Sequence, residues 1–385
     1  MFAENPIKIN ILELYSGIGG FHYAIKKLIS SKQYHLTAID INPSANEIYR
    51  LNHLKQSDKS IQLQQRNIQS LNSNEIDRMD LDLLTMSPPC QPFSRLGKRK
   101  DLDDFRVDSL RNVMSSLSRA KRKPKYIMLE NVKGFECSRA HQLVLSTLIE
   151  CQYDCKEFLL SPSQFAIPNS RLRYYLLAKY SPELKARNES TIETRVPIIQ
   201  NGSIFDSNNN VIYKEKIFID FDTMQIDSDR RPFRKLTNYI ENSIDSEENF
   251  KIRPDHLLRY RMIIDIVEID SETTNCFTKS YGHRLEGCGS ILKTSNQFTI
   301  EEIYDRIAKE ENDEIILKLL NELQMRYFTP KEVARLMHFP DELVFPINYT
   351  PKQCYRLLGN SVNVFVCCYL LKLFDLERLI REKSS

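Results

Sequence analysis

Three observations predict an α/β protein with a doubly wound parallel sheet and a second, smaller lobe. Short β-rich runs alternate with amphipathic stretches from the start of the chain to about residue 180, the signature of a parallel sheet wrapped by helices. Near residue 181 that texture gives way to a segment rich in Asn, Ser, Asp and Glu. The chain's 385 residues are too many for one ordinary core and suit one core carrying a second lobe.

The elements follow in order. INILELY, HLTAID, LDLLTMS, KYIMLEN and RLRYYLLAKY read as strands, and FHYAIKKLIS, PSANEIYRLN and HQLVLSTLIE as the helices between them. Asn42 followed by Pro43 offers a cap and a first-turn proline after the strand ending at Asp40, which fixes a helix start. PDHLLRYRMIID and TIEEIYDRIAKEENDEIILKLLNEL read as exposed amphipathic helices of the second lobe. From Tyr349 onward the chain carries GNSV and the apolar run VFVCCYLLKLF. That run is too short to cross a bilayer and must bury itself against the first lobe, making that lobe discontinuous. The expected division is 1–183, 184–348 and a returning segment 349–385.

Composition excludes more than it selects. Hydrophobic content of 41% and charged content of 27% are those of a globular chain, and a net charge of +3 identifies no partner. The nine cysteines show no CxxC pair and no zinc ladder, and the N-terminus has no signal-peptide pattern. No metal and no membrane association are expected, and reduced thiols point to cytoplasm or nucleus. Cys151 and Cys155, four apart in a stretch read as helical, join Cys367 and Cys368 as small buried hydrophobes.

The chemistry concentrates where strands end. LELYSGIGGFH sends a strand into Gly17, Gly19 and Gly20 before a helix, the device that brings main-chain amides up to a ligand at the carboxyl edge of a sheet. The dinucleotide fingerprint needs a third glycine where this chain has His22, so a pyrophosphate site and a nicotinamide oxidoreductase are disfavoured. Asp40 ends the second strand about twenty residues after the loop, where an acid accepts from ribose hydroxyls; its competing role is a helix cap. A nucleoside without phosphates, such as S-adenosylmethionine, satisfies loop, acid and missing glycine together.

SPPCQPF sets Cys90 at the same edge, stiffened by Pro88, Pro89 and Pro92. A rigid loop suits a nucleophile because little ordering entropy remains to be lost at the transition state, although a lone cysteine is more often structural. The next strand delivers Glu130 beside it, and burial there raises the pKa of a carboxyl so that it can donate a proton; the alternative is a capping or salt-bridged glutamate. Arg171 and Arg173 alternate on one side of a strand aimed at that edge, able to clamp a carboxylate, a phosphate or a base carbonyl.

LYSGIGG, AID, SPPCQPFS, ENVKGF, NSRLRYY and RLLGNSVNV, in that order, resemble the cytosine-5 methyltransferases across nearly the whole chain. CFTKSYGHRLEGCGS, from Cys276, is similar to a signature of the eukaryotic branch that acts on tRNA-aspartate. The resemblance implies the Rossmann-like fold of S-adenosylmethionine-dependent methyltransferases with a target-recognition domain. It also implies methylation of cytosine 38 in the anticodon loop of tRNA(Asp) through an adduct between Cys90 and C6, with S-adenosylhomocysteine as the second product. Under it Glu130 holds the base at N3, Arg173 contacts the base and Arg171 supports the catalytic loop. The methionine end of the cofactor falls to Tyr15, Ser16, Gly17, Ile18 and Gly19. Asp40 takes the ribose, and Ile41, Asn67 and Ile68 the adenine, with Pro88 alongside and Asn360, Ser361 and Val362 closing the pocket. Two departures stand out: Asn169 replaces a glutamine, and Asn67 stands where many relatives use aspartate.

Substrate contacts are expected in the basic loop RLGKRKDLDDFRVDSLR, at Arg95 and Lys98 with Arg99, Lys100 and Arg106, and in a turn of Cys276, Phe277, Thr278 and Tyr281 with Gly282. Solvated loops are the competing reading of such charge runs, and AKRKPK at 120–125 is taken as solvated. The absence of a long N-terminal extension suits a stand-alone, monomeric tRNA enzyme. A DNA cytosine-5 methyltransferase using the same chemistry is the nearest alternative, and a non-catalytic nucleic-acid-binding module the second; the latter leaves the intact Cys90 and Glu130 unexplained.

Overall fold

The structure, a computed structural model, describes residues 8–55, 58–89, 107–183, 192–195, 197–199, 210–212, 234–244 and 247–384. Cys90, Arg95, Lys98, Arg99, Lys100 and Arg106 lie outside them. The chain forms two compact units, 1–161 with 172–217 and 362–385, and 162–171 with 218–361.

The first unit runs β1 (Ile9–Leu14), α1 (Gly20–Leu28), β2 (Tyr34–Asp40), α2 (Pro43–His53), β3 (Ile61–Gln65), α3 (Ser73–Met79), β4 (Leu83–Met86), α4 (Asp108–Arg119), β5 (Tyr126–Val132), α5 (Arg139–Glu150), β6 (Tyr153–Leu160), β7 (Arg173–Tyr180), β8 (Ile192–Glu193), β9 (Pro197–Ile199) and β10 (Asn210–Ile212). Its eight-stranded sheet has the order β3-β2-β1-β4-β5-β7-β6-β8. β1 to β5 are parallel and β7 runs against both neighbours, so the expected all-parallel sheet is mixed at one end. β9 and β10 form a separate antiparallel pair.

Alternation along the strands feeds two cores. Leu12 and Leu14 of β1, Leu84 and Met86 of β4 and Ile127 and Leu129 of β5 pack with Leu110, Val113, Met114 and Leu117 of α4 and Val144 and Leu148 of α5. The intervening residues, including Ile9, Ile11 and Glu13, are buried on the other face. α1 buries Phe21, Ala24 and Ile25 and α2 buries Ala45, Ile48 and Tyr49, each the i, i+3, i+4 stripe of a helix with one covered face. Asn42 caps α2 as expected, accepting from the amides of Ser44 and Ala45, so the helix-cap reading of Asp40 falls.

Two readings are corrected. Cys155 lies on β6, one turn beyond the end of α5, so Cys151 and Cys155 share no helix. Burial still pushes the Cys155 thiol up to about 12. RLRYYLLAKY begins its strand at Arg173, leaving Arg171 in the preceding connection.

The second unit contains α6 (Pro254–Tyr260), β11 (Ile266–Val267), β12 (Ile291–Lys293), α7 (Ile300–Ile307), α8 (Asp313–Glu322), β13 (Met325–Arg326), α9 (Pro330–Leu336) and α10 (Pro351–Gly359). The long stretch expected as one helix breaks between α7 and α8 because Asn312 turns its side chain to cap the amide of Glu314. Arg326 and Glu332 form a buried two-pronged ion pair with both contacts at 2.8 Å, and Glu332 also closes a capping box with Thr329. The expected boundaries at 183 and 348 differ from those observed. α10 packs on α9, and its Tyr355 donates to the carbonyl oxygen of Phe328, so the return to the first unit comes after Ser361 rather than at 349. The chain then forms α11 (Val364–Lys372) and α12 (Leu376–Ser384). α11 is apolar nearly all round, buries eight of its nine residues and lies against α1, the environment such a helix requires.

Candidate active site

From β1 the chain steps to β2 and β3 on one side and to β4 and β5 on the other, so the order reverses at the β1/β4 boundary. In such a sheet a ligand crevice opens there, beyond the carboxyl ends of the strands. Leu14, Met86 and Leu129 stand in register across β1, β4 and β5. The residues that follow, Tyr15, Ser87 and Glu130, therefore reach that edge at one level.

The glycine loop turns sharply. Tyr15 itself has a positive φ of 56°, rare for a bulky residue and a mark of local strain. Gly19 has φ +86°, and a Cβ there would stand 2.3 Å from Nε2 of His53, so both torsion and space demand glycine. The Gly17 amide donates to Asp40 Oδ2 and the Asn42 amide to Asp40 Oδ1, each at 2.8 Å. Burial raises the Asp40 pKa against the pull of those amides. Asp40 is half-buried, and beside it Ile41 is 63% exposed, an apolar face suited to a base. Ser16 Oγ is buried with no hydrogen-bond partner. These groups fit a nucleoside-bearing cation: a carboxylate, an apolar face and an uncommitted hydroxyl around a tight loop.

The remaining cofactor positions are placed as follows. Asn67 caps a short 310 turn by accepting from the Gln69 amide, and Ile68 sits in the core with Leu71, which leaves chiefly its main chain for a ligand. Pro88 is buried, and its carbonyl oxygen accepts from Asn131 Nδ2 at 3.3 Å.

Glu130 is buried and forms an ion pair with Arg173, Oε1 to Nε 3.6 Å. The antiparallel register sets Arg173 opposite Val132 and Tyr175 opposite Glu130, so carboxylate and guanidinium are diagonal neighbours on one face. The salt-bridged glutamate weighed as the alternative in the sequence is thus the arrangement observed. Cys90 follows Ser87 by three residues, outside the described residues.

Arg171 does different work within the second unit. It is 3% exposed, and its guanidinium donates to the carbonyl oxygens of Phe277, Gly359 and Ser361 and to Cys276 Sγ. It shares no strand face with Arg173. Asn169 donates to Thr274 Oγ1 and to the Asn275 carbonyl oxygen, binding the same connection to the turn that follows. Of the four turn residues expected to touch substrate, Phe277 and Tyr281 are buried and packed edge to face at 4.9 Å. The Tyr281 hydroxyl donates to the Ser290 carbonyl oxygen and accepts from the Phe328 amide. Their rings build the turn rather than its surface, while Cys276 and Thr278 remain partly exposed. Gly359 lies against the Thr278–Lys279 peptide, where a Cβ would come within 2.2 Å of the Lys279 nitrogen. Asn360 and Ser361 belong to this unit and Val362 to the other.

Sequence reasoning missed a buried polar chain beneath the glycine loop. The Tyr49 hydroxyl donates to Glu13 Oε2 at 3.1 Å and lies 2.8 Å from His22 Nδ1, while His22 Nε2 is 2.9 Å from the Tyr34 hydroxyl. A glutamate at an inward position of an otherwise apolar strand was the available signal.

Sheet order, with the glycine loop and the strand-end acid at its switch point, is that of the Rossmann-like methyltransferase class. The chain belongs to the C-5 cytosine-specific DNA methylase family, which it matches over residues 9–373. A Bos taurus protein named tRNA (cytosine(38)-C(5))-methyltransferase is 39% identical over 95% of this chain and 98% of its own length. A Dictyostelium discoideum protein named DNA (cytosine-5)-methyltransferase is 36% identical over 95% of this chain and 94% of its own. The crystal structure of a Spodoptera frugiperda DNMT2 variant superposes with a TM-score of 0.76 at 37% identity, covering 96% of this chain and all of that one. Members of the family use S-adenosylmethionine.

Proposed function

We propose that this enzyme methylates C5 of cytosine 38 in the anticodon loop of tRNA(Asp), acting as a monomer in cytoplasm or nucleus. The observation that carries the reading is the Glu130–Arg173 pair at the carboxyl edge, with Glu130 level with Tyr15 of the glycine loop and with Ser87, which precedes Cys90 by three residues. S-adenosylmethionine supplies an electrophilic methyl group. Tyr15 to Gly19 and Asp40 hold its methionine and ribose ends, Ile41, Asn67 and Ile68 the adenine, and Pro88, Asn360, Ser361 and Val362 the remaining wall.

The Cys90 thiolate attacks C6 of the cytosine, and the displaced electron pair makes C5 nucleophilic while Glu130 holds N3. Arg173 keeps Glu130 oriented and contacts the base. After C5 gains the methyl group, its proton leaves, the S–C6 bond breaks and aromaticity returns. The base must leave its stack, which costs least in a single-stranded loop. The name of the Bos taurus relative supports tRNA as substrate, and that of the Dictyostelium relative makes DNA the rival. Free thiols at all eight described cysteines support a reducing compartment.

The test incubates wild type and Cys90→Ala with methyl-labelled S-adenosylmethionine and, separately, total tRNA and duplex DNA, then maps the product. Label at one anticodon-loop cytosine, lost in the variant, is expected. Label only in DNA would transfer the function to the rival, and label in neither with cofactor still bound would favour a binding module.

A further inference from the structure

Glu13 is a group the proposed chemistry does not use. Its side chain is fully buried in β1, two residues before Tyr15, and Oε1 has no hydrogen-bond partner. α1 follows Gly19, which caps it with no side chain, and the main chain of Phe21 and His22 in its first turn favours the ionised form of the Glu13 carboxyl.

The elements around Glu13 carry the following polar and charged groups. Tyr49 and His53 come from α2, His22 and Lys26 from α1, and Tyr34 and Asp40 from β2. Thr85 stands opposite on β4, and α11 behind α1 carries Lys372 as its one charged residue. With the single Tyr49 proton directed to Glu13, His22 donates from Nδ1, and in its neutral form accepts from Tyr34 at Nε2. Burial and the neighbouring His53 and Lys26 keep His22 neutral by lowering its pKa well below the usual value. Burial pushes the Glu13 carboxyl up to about 8 against the Tyr49 hydroxyl and the amides of His22 and Phe21, with Asp40 pushing the same way as burial.

We propose that Glu13 senses the charge of the cofactor, ionising when a sulfonium occupies the glycine loop and remaining neutral beside a thioether, and so favours S-adenosylmethionine over S-adenosylhomocysteine. The inference rests on the assignment of Tyr15 to Gly19 to the methionine end. A nearby positive charge favours the ionised carboxyl, so binding of the sulfonium drives a proton off. By linkage its affinity rises with pH until the free protein's Glu13 is itself ionised, whereas the neutral thioether gains less.

The test is titration calorimetry of the full chain with both ligands at pH 6.5, 7.5 and 8.5, in two buffers of different ionisation heat. In wild type, S-adenosylmethionine should release more protons than S-adenosylhomocysteine at pH 7.5, and its affinity advantage should grow severalfold from pH 6.5 to 8.5. Glu13→Gln, a permanent mimic of the neutral carboxyl, should hold the wild-type ratio of pH 6.5 throughout; the ligand's own amine titrates alike in both proteins and cancels. Tyr49→Phe, which removes a donor that favours ionisation, should move the wild-type profile to higher pH and decides the matter if the glutamine variant does not fold. Equal proton release and equal ratios in wild type and variants overturn the inference while leaving the proposed function standing. Failure of either ligand to bind would overturn both.

Discussion

Arg171 and Arg173 are two residues apart and do opposite work. Arg173 opens β7, stays partly accessible, and its guanidinium is shared between the neighbouring Leu172 carbonyl oxygen and the Glu130 carboxylate at the sheet edge. Arg171 ends the connection before it and commits its guanidinium to three main-chain carbonyls and a sulfur. The difference teaches that a charged side chain stays available to a ligand when it is paired with another side chain at a partly accessible edge. It serves architecture when its partners are carbonyls that would otherwise be buried unpaired.

The comparison is sharpened most by Glu130→Gln, which keeps shape and removes the charge Arg173 faces. Turnover in the labelled-methyl assay should fall by roughly 10²–10⁴-fold, with the thermal transition and cofactor affinity near wild type. Arg171→Ala should behave the other way: leaving carbonyls without their donor costs about 2–4 kcal/mol of stability, read by denaturant unfolding. A fold-neutral Arg171→Ala would break the contrast. Gly359→Ala drives a methyl group into the Thr278–Lys279 peptide and should cost about 1–3 kcal/mol by overpacking, again without a direct effect on the chemistry of properly folded enzyme. The mildest change is Arg173→Lys, which keeps the charge and loses the planar fork. Single-turnover rates should drop about tenfold with unfolding midpoints unchanged, and a rate equal to wild type would reduce Arg173 to a bare counter-charge.

Legibility followed locality. The β1, β2, β4 and β5 runs and helices α1, α2 and α5 were readable because each shows its own apolar period and caps, as Asn42 and Pro43 do. β3, with one buried residue and the sequence IQLQQ, and β6, whose Cys155 stands at a helical spacing from Cys151, were not. Both owe their conformation to neighbours across the sheet, which supply the hydrogen bonds their own side chains do not announce. At the site, the glycine loop, Asp40 and Glu130 were legible because each ends a recognisable strand. The roles of Phe277 and Tyr281 were not, since an aromatic in a motif reads the same whether its ring faces ligand or core.

By itself, then, the sequence determined the alternation of strand and helix, the glycine-rich turn after the first strand, and the residue types that can attack, hold and methylate a base. Those are properties of segments, set by torsional freedom and local periodicity. Tertiary structure decided which side chains share a face, that Glu130 is paired, that Arg171 braces a turn, and that Glu13 lies buried beside the glycine loop. Pairing, burial and charge balance depend on residues distant in the chain, and the energy of a buried charge exists only once the fold has removed its water.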